Sequence, residues 1–530
     1  MDTTVLEHGA AGDGDLATDA FQAALDAVVD AGGGTVRVPP GDYTVGTVEV
    51  GDDTTLHLDP DATVHASQDE RDYRAVGEDP GPDGELPFLV ADGAANVTLS
   101  GRGTFDGHGT DVMEMDEPIR GHSGQVSEWP LVSEGAPDAR QGDDYLDRSA
   151  GTEDWPVAKP DFRPGPMFRF ADCENVVVRD LTFRDMPSWT LHFRGCEEVD
   201  VLGVDVLNHM LIPNCDGLAV VSSRNVHVAD STFVACDDTI VPGASADAGP
   251  LEHFTVTNCT LASHACAIKF GSGTAADIRD CTFQNCTIYG SNRGLGIQHR
   301  DQGDIENVLF SDITIRTTLP PGPWWGKAEP IHVSSVPRHD DTDLGAVRNV
   351  RFSNVVAQAE NGVVVYGHED ASIENLSFDG LELELADADA NDLVGGNLDL
   401  QPTSVMPPIL AHDVPAVLVH GVDGVDVSDV SVTWTDEMPE FCTAALGCEG
   451  VSDVEVDGLR GAPAHSDRAL VELDGVDGVS VRNCRVDGEA AALVEASGVE
   501  GAGVLGLNDA AGVGDLVTGD ADFSQIGNQV

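Results

Sequence analysis

Lysine is nearly missing from this chain: Lys159, Lys269 and Lys327 are the three it has, and its other basic residues are arginine. Against 27 Lys+Arg stand 93 Asp+Glu, for a formal net charge of −66 over 530 residues. A surface so acidic makes nucleic acid and anionic membranes poor partners. No run of about 18 apolar residues offers a membrane span. The start, "MDTTVLEHGAAGDGD", shows no basic head, twin arginine or apolar leader core. The expectation is therefore a soluble cytoplasmic protein. Tight CxxC pairs are also missing, which removes the usual zinc signal, and the 11 cysteines are an odd number that cannot all pair within one chain. Most are read as buried thiols, with Cys442 and Cys448 as one candidate disulfide. A chain this acidic repels itself in dilute buffer, whereas at about 1 M salt the Debye length falls to roughly 3 Å. That charge predicts adaptation to a high-salt cytosol. Acidic disorder is excluded, because 41% of the residues are hydrophobic and recur in short regular runs.

What is present is a repeat. "CENVVVRDLTFRDM" from Cys173, "CEEVDVLGVDVLN" from Cys196, "SRNVHVADSTFVAC" from Ser223 and "DIENVLFSDITIRT" from Asp304 are copies of one unit, and others follow to "GVDGVSVRNCRVDG" near Gly475. Each copy holds two short alternating strands joined by a polar corner, and most steps between copies are 22 to 28 residues. Period-two alternation inside a fixed repeat predicts a strand solenoid, in which one rung cannot bury its apolar face until another stacks on it. The fold predicted is all-β, a right-handed parallel β-helix, as one domain over residues 1–530. Asn175, Asn225, Asn307, Asn349 and Asn375 recur at one corner and are expected to hydrogen-bond along the stack. Cys173 and Cys196, and likewise Cys236 and Cys259, lie 23 residues apart, which reads as stacking from rung to rung. Within residues 1–50, "TDAFQAALDAVVDA" predicts an α-helix from about Thr18 to Ala31 that caps the first rungs. Segments 107–165, 318–345 and 386–415 break the rhythm, and such loops on a solenoid form or shield a groove.

Candidate chemistry centres on "PNCDGLAVVSSRNVHVADSTFVACDDTIVPG", Pro213 to Gly243. Asp216 and Asp237 are 21 residues apart, close to one rung, and Asp238 follows directly. Neighbours in a strand face opposite ways, so Asp237 and Asp238 share a groove only at a corner or bulge. Three carboxylates this close cannot all ionise cheaply, so one is expected to keep its proton near neutral pH. A protonated acid beside ionised ones is the requirement for glycosidic bond cleavage. In so acidic a chain, solvated corner residues are the competing reading.

Four ordered landmarks resemble the polygalacturonase-type glycoside hydrolases of family 28. "NCDG" with Asn214 and Asp216 looks like that family's Asn-x-Asp motif, and Asp237-Asp238 like its paired aspartates. "SHACAIKFGS" with His264 looks like its Gly-His-Gly segment. "SNRGLGIQHRD", holding Arg293, Gln298, His299 and Arg300, occupies the place of its Arg-x-Lys segment. The resemblance runs from about residue 5 to 380. It implies Asp237 as general acid, Asp216 and Asp238 as the carboxylates that hold and activate water, and His264 as the group tuning Asp237. It also implies metal-free, cofactor-free hydrolysis of α-linked galacturonides with inversion. The Arg-x-Lys segment is not reproduced, so substrate binding is expected among Asn214, Lys269, Arg293, Gln298, His299, Arg300 and Lys327, and the basic cluster that includes Arg293, His299, Arg300 and Arg338 favours an anionic sugar. Trp324 and Trp325 either stack on a sugar ring or pack their loop. Trp189 and His192 either line the groove, or Trp189 fills a rung and His192 faces solvent. The expected partner is an anionic oligo- or polysaccharide, and the loops favour exo attack. A polysaccharide lyase or uronate epimerase using calcium on the three aspartates, and a non-catalytic glycan-binding β-helix, are the alternatives.

Overall fold

A computed structural model of the chain describes residues 1–76, 86–119, 143–149, 151–160, 162–400, 403–435, 437–521 and 523–529. Two compact units divide the chain: Met1–Gly124 with Thr152–His264, and Gln125–Gly151 with Ala265–Val530. Both are built from stacked parallel strands, as the repeat predicts.

Three columns of strands run through the first unit. One contains Gly34–Val38, Thr54–Leu58, Ala95–Gly101, Glu174–Arg179, Glu197–Leu202, Arg224–Ala229 and Leu251–Thr257, each parallel to the next. Its register sets Val36, Leu56, Leu99, Val178, Val201, Val228 and Val256 in one file. All seven are buried. Period-two alternation sends every second residue inward, and parallel stacking lays each on its equivalent in the rung before. The second column includes Ala62–Ala66, Thr104–Asp106, Thr182–Arg184, Asp205–Leu207 and Thr232–Ala235. The third includes Leu89–Asp92, Phe168–Ala171, Leu191–Arg194, Leu218–Val221 and Ile240–Gly243. The expected helix forms at Thr18–Asp30 and buries Ala20, Phe21, Ala24, Leu25 and Val28, closing the apolar end of the first rungs. Of the 107–165 insertion, Glu114–Pro118 pairs antiparallel with Val157–Ala158. Much of the rest of that insertion lies outside the described residues.

In the second unit the equivalent file is aromatic. Phe283, Phe310, Phe352 and Phe378 share one register position. Their ring centroids are 5.1, 5.1 and 5.3 Å apart and the planes are within 20° of parallel. The spacing is that of the rungs themselves, so like stacks on like. The expected insertions fall between Ile305–Thr317 and Ala346–Ala359, and between Ser372–Leu385 and Asp423–Ser428. The second of these packs onto the rungs. Leu398, Leu400, Val405, Met406 and Leu410 cover Val336, Val364, Tyr366 and Leu418. Among the described residues no helix is long and apolar enough to cross a membrane.

The corner asparagines form ladders. Asn349 donates to Asn307 at 3.1 Å and Asn375 to Asn349 at 3.2 Å. Asn307 donates to Asp280 at 3.0 Å, and in the first unit Asn175 donates to Asn96 at 2.7 Å. Each occupies left-handed backbone with φ of 55–58°. Asparagine tolerates that conformation and can still hydrogen-bond upward, which explains its recurrence.

Two cysteine readings are corrected. Cys442 and Cys448 do not pair; all eleven cysteines are buried and none forms a disulfide. Cys448 stacks in the core between Val419 and Leu473, while Cys442 lies before the strand Leu446–Glu449. Cys236 stacks on Cys215, whose sulfur accepts from its backbone N–H at 3.3 Å. Cys259 instead sits over Ser231, because Thr232–Ala235 and Thr260–Ser263 are in register. A 23-residue interval locates a rung but leaves the position within the rung open. For Cys173 and Cys196, the register Glu174↔Glu197 bears out stacking.

Truncating the phenylalanine file tests whether it carries the second unit. Phe352→Ala is expected to cost about 3–5 kcal/mol, read by denaturant unfolding in concentrated salt. A loss under about 1 kcal/mol would show that the file is not tightly packed.

Candidate active site

The rung register decides which aspartates meet. Leu218 pairs with Ile240, so Asp216, two residues before the first, aligns with Asp238, two residues before the second. Main-chain bonds agree: Gly217 N–H donates to the Asp238 carbonyl at 3.0 Å. Asp237 occupies the corner between Thr232–Ala235 and Ile240–Gly243. The corner frees it from strand alternation. One oxygen from each of Asp216, Asp237 and Asp238 lies within 4.8 Å of the others. Asp216 and Asp238 are 5% and 3% exposed, whereas Asp237 is more open.

Several groups orient the cluster. Asn214 adopts φ 55°, and both its backbone N–H and its side-chain amide reach Asp237 Oδ2 at 3.3 Å. The Asp237 Oδ1 accepts from the Asp238 N–H at 3.0 Å. Ser263 Oγ donates to the Asp237 carbonyl at 2.7 Å, and His264, partly exposed, follows it on the next rung. The 209–215 turn is tied down by buried polar groups. Asn208 donates to the Cys215 carbonyl at 3.0 Å and to Thr190 Oγ1 at 2.8 Å. Arg163 donates to the carbonyls of Pro187 and Pro213 at 2.8 and 2.7 Å. Lys159 donates to the side-chain oxygen of Asn214. Asn208, Arg163 and Lys159 were not among the sequence candidates. The scarcity of lysine is the one signal in the sequence that points to Lys159.

Trp189 lies one rung before Asp216, its following residue Thr190 donating to the Asp216 carbonyl at 2.9 Å. Trp189 meets His192 edge-on at 5.3 Å between ring centroids. His192 is buried in its strand, and desolvation, helped by Arg169 and Arg194, depresses its pKa to about 3. It therefore stays neutral through the usual histidine range, and its burial contradicts the solvent-facing position.

The basic candidates of the second unit are mostly engaged within it. Arg293, 3% exposed, forms a two-pronged pair with Glu329 at 3.0 and 3.1 Å and donates to the Asp399 carbonyl at 2.6 Å. Glu329 stays well below the usual carboxylate range despite burial, because Arg293 and His332 oppose the desolvation. Lys327 is buried and donates to the Val394 carbonyl. His299 bridges Ser335 Oγ and the Gly303 carbonyl at 2.8 Å each, and burial lowers its pKa. Arg300 is buried with Nη2 on the Ser272 carbonyl at 3.1 Å; Arg338 pairs with Asp301 at 2.6 and 2.7 Å. Gln298 is buried in the same strand. These groups hold the insertions to the rungs, and their burial turns Arg293, His299 and Lys327 away from the solvent-facing role expected of them. Trp324 is buried and packs its loop. Trp325 is partly open, and the Lys269 ammonium sits 5.2 Å from its ring centroid. An ammonium on an aromatic face matches an anionic sugar in both charge and ring.

Comparison with known proteins agrees with this arrangement. Residues 139–391, which include all four catalytic candidates, match the model of glycosyl hydrolases family 28. A probable polygalacturonase of Vitis vinifera is 23% identical over 327 residues, 59% of this chain and 60% of that protein. An exopolygalacturonase of Platanus acerifolia is 23% identical over 330 residues, covering 60% of this chain and 73% of that protein. The match thus spans three fifths of the grapevine protein's length. The solved polygalacturonase from Erwinia carotovora ssp. carotovora shares the fold, with a TM-score of 0.55 at 18% identity over 72% of this chain and 92% of that one. Landmark order, aspartate cluster and rung architecture converge: the chain has the parallel β-helix fold of the solved polygalacturonase and is similar to glycosyl hydrolases family 28 over residues 139–391.

Proposed function

We propose that this chain is a glycoside hydrolase that cleaves α-linked galacturonide oligo- or polysaccharides of the pectin type, by exo attack and with inversion. The observation that carries the proposal is the carboxylate cluster, three acids on adjacent rungs within 4.8 Å of one another. Glycoside hydrolysis needs one acid to protonate the leaving oxygen and a carboxylate to activate water. Asp237 is the most open of the three and takes the acid role. Asp216 and Asp238, buried and aligned, hold the water and accept its proton as the sugar–oxygen bond breaks. The proton leaves the water, another reaches the departing oxygen, and no further reactant is required. Asn214 is a positioning residue for Asp237, and His264 on the next rung tunes its proton.

The separation of the acids bears on stereochemistry. Inverting enzymes usually keep their two carboxyls about 6.5–9.5 Å apart and retaining ones about 5–5.5 Å. The 4.8 Å bound applies to one oxygen of each acid and selects neither course. Inversion is inferred from the similarity to family 28.

The same proposal places the protein in concentrated salt. The support is the net charge of −66. Lowering salt from about 1 M to about 0.01 M lengthens the Debye length from roughly 3 to 30 Å. Thermal unfolding should then move to lower temperature as salt is removed; a midpoint independent of salt would contradict salt adaptation. For the chemistry, Asp237→Asn is expected to lower kcat on oligogalacturonides about 10²–10⁴-fold while binding survives. A kcat within about threefold of the parent, far short of that range, would exclude Asp237 as the acid.

A further inference from the structure

A second constellation lies in the first unit, outside the aspartate cluster. His65 belongs to the strand Ala62–Ala66 and Asp106 to Thr104–Asp106, and the register places Asp106 beside His65 on the next rung. His108 follows in left-handed backbone, φ 54°. Its ring approaches that of His65, with Nε2 of His108 2.9 Å from Nδ1 of His65.

The outer nitrogens are both held by carboxylates. His65 Nε2 lies 3.1 Å from Asp42 Oδ1, and His108 Nδ1 lies 2.9 Å from Asp111 Oδ2. An ionised carboxylate only accepts, so each outer nitrogen is the N–H of its ring. In neutral rings the two inner nitrogens then face each other with lone pairs. Lone pairs at this distance repel unless something electrophilic lies between them, and a shared proton or a metal cation are the two candidates.

Asp106 argues for the cation. One of its oxygens lies within 4.8 Å of a ring nitrogen of each histidine. Its Oδ2 accepts from Arg184 at 2.6 and 2.8 Å, and its Oδ1 accepts from the backbone N–H of His108 at 3.2 Å. The carboxylate is thereby oriented, its charge is shared with Arg184, and Oδ1 keeps a lone pair. Two imidazoles whose far N–H groups are fixed by carboxylates is the arrangement that orients histidine ligands and raises their basicity. At metal–nitrogen bonds of about 2.0–2.1 Å, the observed separation corresponds to roughly a right angle at the ion. That angle suits neighbouring positions of an octahedron; opening the pair by a few tenths of an ångström would suit a tetrahedron. Imidazole selects transition metals over calcium and magnesium. The histidine side chains are 20% and 27% exposed, which leaves a path of entry.

We propose that His65, His108 and Asp106 bind a divalent first-row transition-metal ion, with water completing its coordination, and that Asp42 and Asp111 orient the two rings. The ion staples the early rungs of the first unit. It takes no part in the proposed hydrolysis.

The test is titration of the full-length, chelator-stripped protein with Co²⁺ and with Zn²⁺ in concentrated salt. The visible Co²⁺ bands report nitrogen ligands, calorimetry reports affinity for Zn²⁺, and thermal unfolding reports the staple. One ion per chain is expected, with a higher unfolding temperature when loaded. His65→Ala and His108→Gln should each weaken binding at least 100-fold and erase the thermal gain. Asp42→Asn should weaken it about 10–100-fold. Circular dichroism identifies a variant that has not folded, and the other histidine variant then carries the test. Binding unchanged in both histidine variants, binding abolished by Asp216→Asn, or no nitrogen-ligated Co²⁺ at all would each overturn the proposal; the last would leave a shared proton between the rings.

Discussion

Rung-to-rung hydrogen bonding in parallel register is the constraint from which the other features of each unit follow. A rung has two flat strand edges and an apolar interior, and neither is satisfied until an equivalent rung lies on it. Parallel pairing then forces each residue to lie on its counterpart. Valine meets valine in the first unit, phenylalanine meets phenylalanine in the second, and asparagine meets asparagine at the corner. The cluster of acids follows from the same rule. Asp216 lies against Asp238 because Leu218 lies against Ile240.

Stacking like on like is easy for apolar side chains and costly for carboxylates, which repel and lose water when buried. The first unit accommodates them at a corner. Asn214, Ser263 and the Asp238 N–H supply hydrogen bonds around Asp237, while Asn208 and Arg163 fix the turn before Asp216. The second unit solves a related problem where its insertions return to the rungs. There Arg293, Glu329 and His332 bury charge together with the Asp399 carbonyl. Such a buried pair costs about 3–5 kcal/mol to break from one side. It therefore locks a loop more firmly than a surface pair would.

These differences explain what could be read from the residues. The solenoid, the Thr18–Asp30 helix and the asparagine ladders were legible, because each depends on periodicity or on a local backbone preference. The closeness of Asp216, Asp237 and Asp238 was legible to within a rung, but their order was not. Spacing pointed to Asp216 with Asp237, whereas the strand register aligns Asp216 with Asp238 and leaves Asp237 at the corner. The Cys236 pairing slipped for the same reason. Basic residues were the least legible. Arg293, His299 and Lys327 have the right chemistry for an anionic sugar, yet their partners lie far along the chain, in the Val394–Asp399 and Ser335 regions, and no spacing rule reports them. The contact of Lys159 with Asn214 was hidden likewise, 55 residues away.

The central claim is that three carboxylates on adjacent rungs hydrolyse a galacturonide bond by direct attack of water. Proton NMR of the first products released from oligogalacturonides, recorded in concentrated salt with chelator present, tests it most directly. The account predicts saturated galacturonic acid appearing first as the β-anomer, with the rate unaffected by chelator. Unsaturated sugars, a rate that vanishes with chelator, or an α-anomer appearing first would contradict it.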